Sequence, residues 1–511
     1  MTAVTAPERT PARADGFARL LHAEWTKFRT VRGWVIALVA AALLTVLIAM
    51  WAGSAGQDVC GGGPAGGPEV CRPDVPRGPG GEAVTDDFYL VRLPRPGDGG
   101  ITVRVTSLTG VVSSNQLNGP VTAGLQPWSK AGIIIKASTR PGSAYAAIMV
   151  TGGHGVRMQD DYVDDVAGSP DPVSVASPAW LRLVRTGDTI TGYESADGVR
   201  WTRVGTARLA GRPAAAQAGL FVTSPDQVSA TGGAPTEATA VFDHVRPAGP
   251  WSGAQIGGNG TYPALPGRFR QAGGRFTVTG SGDIAPALPG PADGYVSPEH
   301  SLAGVFAALI VVTVVGTMFV TAEYRRGLIR LTLAASRGRG RILAAKAIVL
   351  GSVTFVTGLA GAAAAIAVGG RLLRANGKYV LPVSALTEVR LIAGPAALLA
   401  VGAVLALALG AVLRHGAGPV AAVVAVIVVP YFFASPLALL PAGAADWLLR
   451  VTPAAGFAIE QAIARYPQVA NAYTPRYGYY PLAPWAGFAV LCAWTALALG
   501  VAVVLIRRRD A

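Results

Sequence analysis

Six long apolar runs limit what this 511-residue chain can fold into more than any other feature of the sequence. Each run is close to the roughly 20 apolar residues that an α-helix needs to cross a bilayer. Only 14% of the residues are charged, whereas a soluble domain has roughly a quarter. We therefore expect a membrane protein with six transmembrane helices. The runs cover residues 33–52, 302–322, 347–369, 389–413, 419–440 and 484–506.

The distribution of charge argues against nucleic-acid binding, although the net charge is +14. Residues 53–300 contain 19 Lys+Arg and 21 Asp+Glu, and the rest of the chain contains 24 and 8. The basic excess therefore lies in the segments that flank the apolar runs. This pattern is typical of membrane orientation and not of a DNA-binding face. No nucleic-acid partner is expected.

The same basic residues predict the orientation in the cell membrane. With the N-terminus inside, the inner segments carry 17 Lys+Arg and the two short outer connections carry six. Positively charged short loops favour the cytoplasmic side. Both termini are therefore predicted to be cytoplasmic and residues 53–300 extracellular. Arg371, Arg374 and Lys378 fall on the outer side and run against this rule.

The N-terminal region predicts a helix that lies on the membrane before the first span. Residues 1–15 are rich in Ala, Pro and Arg and are expected to be disordered. Residues 16–32 place apolar side chains near one helical face and basic ones largely elsewhere, as in an interfacial amphipathic helix. A secretory signal peptide is the alternative, but the apolar run is long for one. The apolar face comprises Phe17, Leu20, Leu21, Phe28 and Val31.

Two of the three cysteines lie in a Gly/Pro-rich segment, residues 53–81, which we interpret as an exported linker. Cys60 and Cys71 are predicted to form a disulfide there, because an exported segment meets an oxidising space. Two free thiols are the alternative. Cys492 lies within the last apolar run and is interpreted as a small apolar residue.

Residues 82–300 are predicted to form an all-β sandwich. Short stretches such as "ITVRVTS" alternate apolar and polar residues, which is typical of half-buried strands. Asp197-Gly198 separates two such stretches and predicts a hairpin turn. Many short strands at close spacing favour a sandwich.

The chain lacks the common signatures of catalysis. No phosphate-binding GxxxxGK[ST] loop occurs, and the five histidines are scattered, so neither a nucleotide nor a metal site is predicted. A stretch at 160–165 has four aspartates; a solvated loop is preferred to a Ca²⁺ site or a glycosidase pair. Trp128, Trp180 and Trp201 are expected to pack against the sandwich, with sugar stacking as the alternative. No catalytic residue and no cofactor is assigned to this chain.

Three segments together resemble ABC-2-type transporter permeases of actinobacteria. They are "HAEWTKFRTVRGW", "TAEYRRGLIRLTLAASRGRGRILAAKA" and "LRHGAGPVAAVVAVIVVP". The resemblance implies a permease subunit with six spans that works with a separate ABC ATP-binding subunit, on which ATP and Mg²⁺ are bound. It also implies two copies, as a homodimer or with a similar permease. The cytoplasmic segment 323–346 would contact the ATPase, through Glu323, Tyr324, Arg325, Arg326, Gly327, Leu328, Ile329 and Arg330.

The sequence allows two interpretations of the basic residues in this region. Arg325, Arg326 and Arg330 can meet acidic groups of a partner, or they can bind lipid phosphates. The remaining arginines at the inner face are interpreted as anchors on membrane lipid. The predicted anchors are Arg337, Arg339, Arg341, Arg507, Arg508 and Arg509.

The β-region resembles the concanavalin-like (laminin-G-like) jelly-roll modules of bacterial extracellular proteins. Stretches such as "WSKAGIIIKASTRPGSAYAAIMVTGG" carry the likeness, which implies a two-sheet fold that sometimes binds carbohydrate. Residues 274–284 resemble the strand that opens such modules, yet here they follow the module. We therefore expect a permuted arrangement in which residues 275–280 are paired and both ends lie near the membrane.

The function predicted from the sequence is the permease subunit of an ABC transporter that exports an unidentified substrate. A membrane-anchored glycan receptor is the alternative, and a membrane-anchored glycosidase is the less favoured third reading.

Overall fold

Two kinds of structure divide the chain: a set of apolar helices and a domain of β-strands. A computed structural model describes residues 16–54, 75–113, 120–209, 215–229, 232–257, 267–290, 295–325, 339–414, 417–434 and 442–509. The predicted disordered N-terminus and both linker cysteines, Cys60 and Cys71, lie outside these ranges.

Six helical stretches among the described residues are long and apolar enough to cross a membrane, as predicted. The helix α4, Arg339–Ala375, is longer than the predicted run 347–369, because its polar first turns are also helical. The helix α6 is described over Ala417–Ala434, so the predicted end of that run at 440 lies outside the described residues. The helices are α1 Phe17–Thr30, α2 Arg32–Ser54, α3 Gly304–Arg325, α4 Arg339–Ala375, α5 Ala385–Leu413, α6 Ala417–Ala434, α7 Ala442–Val451 and α8 Pro484–Arg509. Short 3₁₀ helices cover Pro298–Leu302, Pro453–Glu460 and Pro475–Tyr477.

A π-helical turn, Val424–Val428, ends two residues before Pro430 in α6. Proline has no N–H to donate, and its ring clashes with the carbonyl four residues earlier. A π-turn widens the helix at such a point. The helix therefore continues through Pro430 to Ala434.

α5 forms the centre of the helical part, because most of its residues are buried against α3, α4 and α8. Small residues allow this close packing, as is usual for helices in membranes. A Cβ placed on Gly316 of α3 would lie 2.4 Å from the carbonyl oxygen of Ala403 in α5. These two helices therefore approach each other backbone to backbone.

The β-domain consists mainly of β-strands. The first are β1 Val84–Asp86, β2 Phe88–Pro96, β3 Gly99–Ser113, β4 Val121–Ala123, β5 Lys130–Lys136, β6 Tyr145–Thr151, β7 Val156–Asp160, β8 Asp164–Ala167, β9 Ala179–Thr186, β10 Thr189–Ser195 and β11 Thr202–Arg208. They are followed by β12 Ala215–Thr223, β13 Gln227–Ser229, β14 Gly232–Ala234, β15 Thr236–Arg246, β16 Ser252–Ile256, β17 Arg268–Ala272, β18 Arg275–Gly280, β19 Ile284–Pro286 and β20 Tyr295–Val296. A further short strand, β21 Tyr379–Val380, lies in the helical part between α4 and α5.

Two large antiparallel sheets form the body of the β-domain. The eight-stranded sheet has the order β11-β10-β9-β3-β15-β18-β17, with β4 paired to β3, and the seven-stranded sheet has the order β16-β2-β12-β5-β6-β7-β8. Two smaller antiparallel pairs, β1 with β19 and β13 with β14, lie beside them in the chain.

The inner faces of the two sheets share one apolar core. Alternate residues of β3, among them Val103, are fully buried against residues of the other sheet such as Ile133. The predicted hairpin is confirmed, since β10 and β11 pair across the turn that contains Gly198. Residues 275–280 are also paired as expected, because β18 lies beside β15.

Two buried ion pairs fasten the ends of the β-domain to its seven-stranded sheet. The Lys136 Nζ lies 2.7 Å from Asp86 Oδ2, and both side chains are fully buried. The Lys130 Nζ lies 2.6 Å from Asp283 Oδ1. Burial lowers the pKa of Lys136, although the neighbouring Asp86 carboxylate opposes this. Since β1 and β19 pair with each other, the chain enters and leaves the domain side by side.

The β-domain rests directly on connections of the helical part. β20 pairs in parallel with β21, which lies between α4 and α5. The Gln468 side chain donates a hydrogen bond of 2.8 Å to the carbonyl of Val163, and Asn471 donates one of 2.9 Å to the carbonyl of Pro289. The contact between the two parts is therefore made by hydrogen bonds as well as by apolar packing.

Candidate coupling site

The amphipathic helix α1 docks on α3 and α4 through its apolar face. Phe28 is 1% exposed and packs with Trp34 of α2 and Phe319 of α3, at ring distances of 5.9 and 5.6 Å. Trp34 and Phe319 meet edge to face at 5.0 Å. Such aromatic pairs contribute about 0.5–1.5 kcal/mol each beyond the burial of their area. The aromatic cluster therefore fixes α1 beside the end of α3.

Four charged side chains form a closed ring next to this aromatic cluster. The Lys346 Nζ lies 2.8 Å from Glu24 Oε2 and 2.7 Å from Glu323 Oε1. The Lys27 Nζ lies 2.9 Å from Glu24 Oε1 and 3.2 Å from Glu323 Oε1. We call Glu24, Lys27, Glu323 and Lys346 the inner ion ring. It joins α1, the last turns of α3 and the start of α4.

The members of the inner ion ring differ in their exposure to solvent. The side chains of Glu24 and Lys346 are 1% and 2% exposed, and that of Lys27 is 42% exposed. The Lys346 ammonium also lies 4.5 Å from the centre of the Phe319 ring. Burial works against the charge of Lys27, but hydrogen bonds and attraction from Glu24 and Glu323 outweigh it and raise its pKa. A buried pair of this kind becomes costly when one partner is removed.

Two of the predicted ATPase-contacting residues, Glu323 and Tyr324, contact other residues of the same chain. Glu323 belongs to the inner ion ring and is 12% exposed. The guanidinium of Arg414, at the end of α5, lies 5.0 Å from the centre of the Tyr324 ring. Arg325 is the last residue of α3. The other predicted contact residues, Arg326, Gly327, Leu328, Ile329 and Arg330, lie outside the described residues.

The predicted lipid anchors gather at the same end of the helices. Arg341 is exposed near the start of α4, and Arg507 and Arg508 are exposed at the end of α8. Arg339 and Arg509 are helical residues at these ends. Arg337 lies outside the described residues.

The tryptophans of the β-domain are covered by other side chains. His154 stacks on Trp128 at 3.9 Å, and the guanidinium of Arg182 lies 3.8 Å from the centre of the Trp201 ring. Arg104 lies 5.6 Å from the ring of Trp180. Each indole thus has a partner within the chain, as expected for packing residues.

Of the four aspartates at 160–165, Asp161 lies in the turn between β7 and β8, and the other three belong to the paired strands, so the predicted solvated loop is only a short turn. Asp165 accepts hydrogen bonds from Arg157 and Gln159. Burial and the nearby Asp164 and Asp161 raise the pKa of Asp160 to about 6. Within the described ranges, no three His, Cys, Asp or Glu side chains are grouped so that they could hold a metal ion.

Sequence reasoning did not find Glu24, Lys27 or Lys346. The signal for Glu24 is its position on the apolar face of α1, four residues after Leu20 and four before Phe28. A carboxylate at such a position needs a buried cation as its partner. Lys346 lies next to an apolar run in the sequence, and its contact with Glu24 becomes evident only from the arrangement of the helices.

A family model described as "ABC-2 family transporter protein" matches residues 146–511, which is more than half of the chain. The chain belongs to the ABC-2 transporter family. Membership in this family, together with six apolar helices, identifies a multi-pass membrane protein of the ABC transporter permease type. It also implies association with an ABC ATPase subunit.

Comparisons with other proteins add little to the description of this ABC-2 transporter. No curated protein sequence matches it. A functionally unknown protein from Saccharomyces cerevisiae is 16% identical, with a TM-score of 0.21, over 36% of this chain and 83% of its own. A scytalido-glutamic peptidase with a transition state analog inhibitor is 9% identical, with a TM-score of 0.25, over 38% of this chain and 98% of its own. Scores this low carry neither a fold nor an activity to the present chain.

Proposed function

We propose that the chain is the permease subunit of an ABC exporter that is driven by ATP hydrolysis on a separate subunit. The inner ion ring is the observation that supports this proposal most directly. Glu323 and Lys346 are the first and last residues of segment 323–346, which is predicted to contact the ATPase, and they are joined by an ion pair. Both ends of that segment are thus tied to α1 and to each other.

This arrangement supports a mechanical role for the inner ion ring. A displacement of residues 326–338 by the ATPase would act on the ends of α3 and α4 together, because Lys346 and Glu323 are joined. Through Glu24 the same displacement would reach α1, which lies along the membrane. In this proposal Glu323 positions the segment, and Arg325, Arg326 and Arg330 make the contact with the ATPase.

The test is capture of the ATPase from native membranes with the full-length chain. We expect mass spectrometry to identify an ABC ATP-binding subunit, and we expect Arg325→Glu/Arg326→Glu to lower its recovery by at least tenfold. Arg507→Glu/Arg508→Glu makes the same change of charge at another helix end and serves as the matched control. Equal recovery with all three chains, or no ATP-binding subunit at all, would count against the proposal.

The proposed orientation rests on the charge pattern, and the proposed pairing of two copies rests on the resemblance to ABC-2 permeases. We propose cytoplasmic termini, an extracellular β-domain and two copies of the chain around the transport path. We assign the β-domain to the concanavalin-like jelly rolls, which its two packed antiparallel sheets support. A glycan ligand is the weaker proposal, because Trp128, Trp180 and Trp201 already have partners within the chain.

A further inference from the structure

The ion pair of Lys136 and Asp86 is enclosed more completely than the second buried pair of the β-domain. Both of its side chains are fully buried, and the ammonium lies 5.6 and 5.4 Å from the ring centres of Tyr145 and Tyr162. In the second pair, the Asp283 side chain is 11% exposed. Taking two ions out of water is costly, even when they are paired. A reaction that replaces both charges of the enclosed pair by one neutral group is therefore favoured.

Hydrogen bonds fix how the two side chains face each other. Lys136 Nζ donates to Asp86 Oδ2 at 2.7 Å and to the Tyr162 hydroxyl at 2.9 Å. It also donates to the Ser143 carbonyl at 3.0 Å. The Gly142 N–H and the Tyr162 hydroxyl each donate to Asp86 Oδ2 at 2.7 Å. The other carboxylate oxygen, Oδ1, is buried and has no hydrogen-bond partner among the residues that the structure describes.

Burial also makes Lys136 a better nucleophile. It lowers the pKa of the ammonium, and the attraction of the Asp86 carboxylate opposes this shift. An amine attacks only in its unprotonated form, which is why buried lysines serve as nucleophiles in proteins. Since Nζ is in hydrogen-bond contact with Oδ2, it lies close to the carboxyl carbon Cγ. Reactions between groups held in such contact are strongly accelerated.

We propose that Lys136 and Asp86 become joined by an isopeptide bond between Nζ and Cγ once the β-domain has folded. The Nζ–Cγ bond forms, and the Cγ–Oδ1 bond breaks with its electron pair going to Oδ1. Two of the three ammonium protons leave with Oδ1 as water, and the third stays on the amide nitrogen. Oδ2 becomes the amide oxygen. The reaction changes no oxidation state and needs no further reactant.

The groups around the pair suit both the reaction and its product. The Gly142 N–H and the Tyr162 hydroxyl lie at the distance from Oδ2 at which donors stabilise a developing oxyanion. Tyr162 also contacts Nζ, so it can pass a proton from the amine towards the carboxyl group. In the product, the amide oxygen keeps these two donors and the amide N–H keeps the Ser143 carbonyl. The oxygen that has no partner is the one that leaves.

The bond would fasten the beginning of the β-domain to the middle of its seven-stranded sheet. Among the described strands, β1 pairs with β19 alone, whereas Lys136 belongs to β5, which lies between β12 and β6. α2 precedes β1 in the chain, so a pull from the membrane through the linker reaches β1 first. An ion pair can separate under such a pull, and an amide bond cannot.

Tryptic digestion of the denatured and reduced full-length chain, followed by mass spectrometry, tests the bond. Trypsin cleaves after Lys and Arg unless Pro follows, and it does not cleave after a lysine whose Nζ is acylated. We expect peptide 78–92, which contains Asp86, to be joined to peptide 131–157, uncleaved at Lys136. The joined mass should be smaller by one water than the sum of the two peptides.

Variants of the two ion pairs supply the controls. Lys130→Met changes the second pair and should leave peptide 78–92 joined to Lys136. Lys136→Met and Asp86→Ala should each give two separate peptides. Tyr162→Phe should lower the fraction of joined peptide, because it removes an oxyanion donor and the proton path. An unchanged fraction in that variant would contradict the role given to Tyr162.

The wild-type digest decides the proposal even if a variant fails to fold. Cleavage after Lys136 together with a free peptide 78–92 would overturn it. Loss of water within peptide 78–92 alone would also overturn it, since this indicates a cyclic imide at Asp86. Stability does not distinguish the two cases, because Lys136→Met removes an ion pair and an amide bond alike. The digest depends neither on the proposed orientation nor on transport.

Discussion

Lys346→Met removes the most buried cation of the inner ion ring while keeping a side chain of similar length. Wild-type Lys346 bridges Glu24 and Glu323 at 2.8 and 2.7 Å and is 2% exposed. In the variant the two carboxylates face each other with only Lys27 between them. Because Lys27 is 42% exposed, it cannot replace the lost charge.

The size of the effect follows from this geometry. Unit charges about 4 Å apart attract by about 4 kcal/mol at an effective dielectric constant of about 20, and Lys346 makes two such pairs. When α1 separates from α3 and α4, the Lys346 ammonium of the wild type regains several kcal/mol of hydration, which offsets part of this attraction. The net loss of stability in Lys346→Met is therefore about 3–5 kcal/mol. Lys27→Met acts on the same carboxylates at an exposed position and should cost only about 0–1 kcal/mol.

Hydrogen exchange of the α1 peptide, residues 17–30, measures this loss where it occurs. A loss of about 3 kcal/mol corresponds to exchange faster by about a hundredfold. Lys346→Met/Glu323→Gln removes a matched pair and leaves Glu24 with Lys27, so it should restore about 1–3 kcal/mol. Unchanged exchange of α1 in Lys346→Met would show that the inner ion ring does not hold α1 against α3 and α4. An equal increase of exchange in Lys27→Met would contradict the larger role given to the buried Lys346.

Three further changes test the β-domain and the helix packing. Lys136→Met leaves Asp86 buried without its cation and should destabilise the β-domain by about 3–5 kcal/mol. Hydrogen exchange in β5 measures this loss, and the double variant Asp86→Asn/Lys136→Met should recover part of it. Burial raises the pKa of the Asp226 carboxyl to about 6, and nearby carboxylates add to this. Protonation of Asp226 therefore makes its full contribution to the stability of the fold below about pH 4, and this contribution is lost as the pH rises through about 6. Asp226→Asn should stabilise residues 215–229 by about 1 kcal/mol at pH 7.5, with no gain at pH 4, in exchange data corrected for intrinsic rates. Gly316→Val places a Cβ 2.4 Å from a backbone oxygen of α5 and should cost about 1–3 kcal/mol in detergent melts, whereas Gly351→Ala, with 3.4 Å of space, should cost less.

The sequence predicts the membrane helices well because run length alone identifies them. It predicts their ends less well. Hydropathy marks only the part of a helix that is apolar, so the polar first turns of α4, with Arg339 and Arg341, were not included. Strand alternation likewise predicts that strands exist but not which strands are neighbours, and the pairing of β3 with β15 brings together residues far apart in the chain.

The inner ion ring could not be predicted from the sequence for a similar reason. Lys346 is 322 positions from Glu24, with the whole β-domain between them. Local patterns place Glu24 on an apolar helix face but say nothing about which cation meets it. By contrast, the basic segment at and after the end of α3 stands out locally, and Glu323 and Tyr324 were predicted from its resemblance to ABC-2 permeases.

The pairing of β1 with β19 has a consequence for how such a chain could arise. Val84 lies opposite Pro286, so the two ends of some two hundred residues are only about 5 Å apart. For the helices, the β-domain is then a closed insertion within the connection between α2 and α3, and it adds little loop-closure entropy to their assembly. A domain with such closely spaced ends can be gained, lost or exchanged by a recombination event without moving the helices that flank it.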